Sequence, residues 1–267
     1  PPRLAHRSAE PCAHTGRTRG AMKQLITIVL GLFVFTATAQ ELALAVPVNS
    51  TCSPYQQGLA ALRGQRYQEA FDLLTVQVAA HPDNAKAWYH RAEAQQALGN
   101  AVGALHDLDR ALALRPNDPH ALLRRADLLI ALGHPAEART ELDRVIAAYP
   151  DGPVTVHALF SLGNACMAMS DLKGALVAYD RLVQLAPADA HAWYDRGVAR
   201  TEAGDAEGAV ADLTRAVELA PDMSAAYAAR AIARVHADRK AEACGDARRA
   251  RDLGDTGMDE LLLIYCR

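Results

Sequence analysis

Three histidines at nearly even spacing, His120, His157 and His191, are the side chains here best suited by type to chemistry. A neutral imidazole binds zinc at about 2.0–2.1 Å and moves protons near neutral pH. One shared ion needs all three ring nitrogens inside one coordination sphere. Packed helices stand about 8–10 Å apart, so histidines on successive helices cannot converge without long side-chain reach. The row therefore reads as a polar, pH-sensitive lip, and neither a metal nor another cofactor is expected. No His-Glu-x-x-His, phosphate loop or Gly-x-Ser-x-Gly accompanies it. Carboxylates are plentiful but fall where helix surfaces want them. The expectation is a protein that is not an enzyme, with a metal-dependent hydrolase the reading these residues support least.

The histidines are evenly spaced because the chain repeats itself. "AKAWYHRAEAQQALGNAVGALHDLDRALALRPND" (85–118) aligns without a gap on "AHAWYDRGVARTEAGDAEGAVADLTRAVELAPDM" (190–223), a period of 34. Six copies lie near 51–84, 85–118, 119–152, 156–189, 190–223 and 224–257, with residues 153–155 inserted before the fourth. Within each copy, numbered 1 to 34, position 8 is small (Gly58, Ala92, Ala126, Gly163, Gly197, Ala231) and position 20 is Ala (Ala70, Ala104, Ala138, Ala175, Ala209, Ala243). Small residues at these places let two antiparallel helices touch. Gly99, Gly133 and Gly204 at position 15 mark a turn between them. Pro82, Pro116, Pro150, Pro187 and Pro221 at position 32 stop the second helix. Copy one departs at position 4 with Pro54, a first-turn helix residue after Ser53, and copy six at position 32 with Asp255.

These positions closely resemble the tetratricopeptide repeat family over about 51–257. The resemblance implies an all-α, right-handed superhelical solenoid of six helix-turn-helix repeats with a concave inner face. The segment "MDELLLIYCR" (258–267) reads as a capping helix over the open end. Cys244 lies on the last second helix and Cys266 on that cap. They either form a disulfide or remain free thiols packed nearby. A bridge closing about 22 residues would contribute roughly 3 kcal/mol. Cys166 reads as a core residue.

Charges inside an apolar face need a partner. Position 7 is Arg91, Arg125, Arg196 and Arg230 in four copies, and position 23 of the same copies is Asp107, Glu141, Asp212 and Asp246. In the other two, position 7 is Gln57 or Leu162 and position 23 is Leu73 or Ala178. The charges occur together and vanish together, which predicts a structural ion pair across each of four hairpins.

In the family, positions 2, 5, 9, 12 and 13 of the first helix face the groove. Here they offer Tyr89, Leu123, Phe160, Asn164, Met167, Tyr194, Val198, Ile232 and Val235, an aromatic and apolar stripe suited to a peptide strand or helix. The family's clamp for chaperone C-terminal tails needs Lys, Asn, Lys and Arg where this chain has Phe160, Asp195, Ala225 and Ala229, so it is not expected. A net charge of −3 also excludes a nucleic-acid footprint. The expected function is a non-enzymatic scaffold or adaptor holding a protein or peptide partner. A self-associating structural protein of the cell envelope, a homodimer among its forms, is the alternative.

Residues 1–21 read as a disordered leader or translated upstream sequence. Residues 22–45, a Lys followed by "LITIVLGLFVF" and small residues, read as a signal peptide, with cleavage fitting after Ala39 or Ala45. Residues 46–52 then form a linker. The expected location is periplasmic or secreted.

Overall fold

The computed structural model describes residues 52–266, all of them helix or connection. They fall into two compact units that divide after Pro116. The first holds α1 (Pro54–Arg63), α2 (Tyr67–Ala80), α3 (Ala85–Ala97) and α4 (Ala101–Leu114). The second holds α5 (Pro119–Ala131), α6 (Pro135–Ala148), α7 (Pro153–Ala168), α8 (Leu172–Leu185), α9 (Ala190–Glu202), α10 (Ala206–Leu219), α11 (Ser224–His236) and α12 (Lys240–Asp252). A 3₁₀ turn (Thr256–Met258) and a short α13 (Asp259–Tyr265) follow. Among the described residues no helix is long and apolar enough to cross a membrane. The readings of residues 1–21, 22–45 and 46–51 lie outside the described residues.

Each copy contributes a hairpin, odd helix then even helix, and each hairpin packs on the next within its unit. The position-20 alanines have no exposure in any copy. The position-8 glycines make room for the large residue at position 24: a Cβ on Gly58 would stand 2.8 Å from Leu74, and one on Gly197 2.7 Å from Leu213. Tryptophans at position 4 tie hairpins together, Trp88 Nε1 donating to the Pro82 carbonyl at 2.9 Å and Trp193 Nε1 to that of Pro187 at 3.0 Å.

The ends follow from backbone rules. Every second helix but the last stops two residues before its position-32 proline, and the intervening residue leaves the helical region, as at His81 (φ −136°, ψ 73°). Ser53 caps α1 through a reciprocal bond with Gln56, and Pro54 opens the helix. Position 15 takes positive φ in all six copies, not only where glycine stands: Gln65, Ser170 and Asp238 adopt 57°, 59° and 57°. The hairpin packing on either side holds these three residues in a conformation that disfavours a Cβ. The inserted Pro153–Thr155 adds a turn to the front of α7, which runs 16 residues against 13 for α3, α5, α9 and α11.

Candidate functional site

The four Arg–acid combinations occupy the hairpin interiors. Arg91 grips Asp107 with two hydrogen bonds of 2.7 Å, and Arg196 grips Asp212 at 2.8 and 2.6 Å. Arg230 holds Asp246 at 2.8 and 2.7 Å, and Arg125 pairs with Glu141. The carboxylates are buried: Asp107 is 1% exposed and Asp212 2%. A third group, position 25 of the preceding copy, completes the arrangement. Arg91 reaches Thr75, Arg196 reaches Asp180 at 3.0 Å and Arg230 reaches Thr214. The bonds to Asp212 raise the Arg196 pKa above its ordinary value.

The sequence reading missed position 11. Arg200 and Arg234 give Asp212 and Asp246 a second cation at 2.9 and 2.6 Å, and Gln95 gives Asp107 an uncharged hydrogen-bond donor at the same position. In the third copy this place is Leu129, and Glu141 Oε2 has no hydrogen-bond partner. The signal was available as a polar residue recurring at position 11 wherever position 23 is Asp.

The first helices of the second unit carry the groove positions; α5 touches α7, and α9 touches α11. One polar chain shows how neighbouring copies meet there. Asp127, at position 9 of α5, accepts from Ser161 at 2.6 Å and lies 3.0 Å from His157 Nε2. Position 9 of one copy thus meets positions 2 and 6 of the next. That carboxylate raises the His157 pKa, outweighing partial burial. The equivalent set one copy on is Asn164, His191 and Asp195. Asn164 is anchored from behind, its Oδ1 accepting from Tyr179 at 2.8 Å. Asp195 Oδ2 is buried with no hydrogen-bond partner, and burial pushes the Asp195 pKa up to about 6 against the pull of His191. The sequence reading treated Asp195 only as a departure from the tail clamp.

The apolar groove residues divide. Phe160 and Ile232 are exposed, at 38% and 41%. Val198 is half-buried. Met167 is half-buried against the core around Tyr179, Tyr194 against Val210, Leu213 and Val217, and Val235 against the cluster containing Met258. Tyr89 belongs to the first unit, edge-on to His90 at 5.1 Å. Leu123 corrects the expectation. It is 3% exposed and cannot line a surface groove, since α5 packs on both α6 and α7 and encloses that position. The three histidines of the row are all exposed on separate helices. Among the described residues no group of three or more His, Cys, Asp or Glu is placed to hold a metal ion.

Cys244 and Cys266 are joined by a disulfide, with Cα atoms 5.6 Å apart, and Cys166 is free and buried.

Family models described as tetratricopeptide repeat match residues 55–119, 96–161 and 162–235. The chain belongs to the tetratricopeptide repeat family. Solved tetratricopeptide structures agree in fold. The chain is 25% identical to MamA (41-end) from Desulfovibrio magneticus RS-1, with a TM-score of 0.59 covering 63% of this chain and 94% of that one. It is 18% identical to YrrB, described as a tetratricopeptide repeat protein with an unusual peptide-binding site, over 71% and 95% of the two chains with a TM-score of 0.58. PilW, a type IV pilus biogenesis factor, is 20% identical over 79% and 92%, with a TM-score of 0.64. A search of the curated proteins gave no match.

Proposed function

We propose that this tetratricopeptide repeat protein is an exported, non-enzymatic adaptor that holds a peptide or amphipathic helix of another protein on α7, α9 and α11. One observation carries the reading: exposed Phe160 and Ile232 lie at groove positions on either side of α9, whose Asp195 keeps a buried carboxylate oxygen without a donor. Apolar anchors beside one unsatisfied acceptor suit a segment that brings both apolar side chains and a hydrogen-bond donor. Asp195 would repel a C-terminal carboxylate, which argues against the chaperone-tail mode. YrrB, a similar fold described as having an unusual peptide-binding site, supports the reading. Export is supported by the Cys244–Cys266 bridge, since disulfides persist in oxidising compartments, and by the signal-like composition of residues 22–45.

The test is a crosslinked pull-down from the native compartment, comparing wild type with Phe160→Ala/Ile232→Ser. Both side chains are exposed, so the fold should survive, as checked by circular dichroism. Loss of a specific partner supports the groove; retention of every partner overturns it. Should the lost partner be the chain itself, light scattering on the purified protein will show a dimer that the double variant lacks.

A further inference from the structure

The fourth copy lacks the whole polar cluster that fills the other hairpins of the second unit. Where its neighbours have an arginine at position 7, it has Leu162; at position 23 it has Ala178 in place of a carboxylate; at position 11 it has Cys166. All three substitutions shorten or neutralise side chains; Tyr179, where the other position-24 residues are mostly Leu, packs toward Gly163 and Asn164 and does not line the space they leave. The result is an open cavity of about 420 Å³ between α6, α7 and α8, lined by all three of these residues. Leu159, Ile146 and Val177 complete its apolar wall. Cys166 and Leu159, at 1% and 2% exposure, form the floor. None of the groove residues lines it.

The cavity rim is charged unevenly. Arg139, Lys173 and Arg181 stand against Asp143 and Asp171. Asp171 is already held by Arg139 at 2.9 Å, and Arg139 Nε also lies 4.0 Å from Asp143. Arg181 donates to the Pro150 carbonyl at 2.6 Å. Lys173 makes no salt bridge among the described residues. A cation entering the vacated guanidinium place would find Asp143 with Arg139 beside it and two further cations around it. An anion would find Arg181 and Lys173 without a carboxylate in salt-bridge contact, although Lys173 also helps to lower the pKa of Asp171 through space.

We propose that this cavity is a ligand site for a small amphipathic carboxylate, its apolar body over Leu159, Leu162, Cys166 and Ala178 and its headgroup toward Lys173 and Arg181. The volume lies within the range of small-molecule sites, which pair a largely apolar wall with a few placed polar groups. The inference does not depend on the groove.

Decanoate is a suitable probe, titrated by calorimetry into the full chain, with decanol as its uncharged counterpart. Wild type is expected to bind decanoate at one site at least tenfold more tightly than decanol. Leu162→Arg/Ala178→Asp restores the pair present in four other copies and fills the space. It should weaken decanoate at least tenfold while the thermal midpoint holds or rises. Lys173→Glu alters only an exposed rim residue, so it serves if the double variant does not fold; it should weaken decanoate several-fold and leave decanol unchanged. Equal affinity for decanoate and decanol, absence of decanoate binding to wild type, or undiminished binding in both variants would each overturn the proposal.

Discussion

Asp195 is where a single residue departs most from ordinary behaviour. Its carboxyl titrates near 6 in the folded chain against about 3.8 when unfolded, because burial penalises the charged form. A raised acid pKa means the native state favours the proton. The stability associated with that proton is fully present below about pH 3.8 and is lost as pH rises through about 6. Asp195→Asn keeps the shape and removes the charge. At pH 7.5 it should stabilise the protein by up to about 3 kcal/mol, and by roughly half that once solvent screening of a partly exposed group is allowed for. At pH 3.5 the two proteins should unfold together. Urea midpoints at both pH values measure this; parallel midpoints throughout would show that Asp195 is well hydrated.

At the scale of the hairpin, the arginine is a strut between helices and its partner makes it affordable to bury. Arg91 also lies 4.7 Å from the centre of the Trp88 ring and 5.9 Å from that of Phe71, so its stem and face are packed as well as its charge. Arg91→Met alone would leave Asp107 buried with Gln95 and, at 3.6 Å, exposed His106. It should cost about 3–5 kcal/mol. Arg91→Met/Asp107→Leu should recover most of that loss, because an apolar pair of similar volume carries no desolvation penalty. Chemical denaturation of the two variants decides it: a double variant as unstable as the single one would mean the ion pair itself supplies net stability. This pairing was legible in the sequence because position 7 and position 23 change together, and a repeat supplies its own internal comparison. The helix ends were legible for the same reason, through the prolines at position 32. Position 11 had a signal, the recurring Gln95, Arg200 and Arg234; the other features that stayed hidden had no positive residue signal. Gln65, Ser170 and Asp238 conceal a left-handed turn that glycine advertises in the other copies. Leu123 looked like groove because position alone cannot report what packs over it. The cavity beside Cys166 is a set of absences, visible only when three shortened side chains are seen to face one another.

On the scale of the molecule, stability in such an array passes from hairpin to neighbouring hairpin, because helices pack mainly within their own hairpin and on the adjoining one. Beyond α11 and α12 the described residues form no further hairpin. Instead α13 and the preceding 3₁₀ turn lie on α12, where Met258, Leu261 and Leu262 close a cluster of Ala231, Ala243, Ala247 and Ala250. The Cys244–Cys266 bond spans 22 residues of sequence and holds this short cap down. A helix of seven residues is too short to persist on its own, so tertiary anchoring must keep it in place. Cys266→Ser should release it at a cost of roughly 3 kcal/mol by the loop-entropy argument. The loss should not be uniform. Hydrogen exchange followed by mass spectrometry should show protection falling most in α13, α12 and α11, less in α9 and α10, and least in α5 and α6. Each interface crossed dilutes the effect, since the hairpins of the fourth and fifth copies lie in the chain between the third copy and α11–α12. An equal fall in every helix from α5 to α13 would instead mean that the second unit unfolds as one cooperative block, and that its hairpins are coupled far more strongly than their nearest-neighbour packing implies.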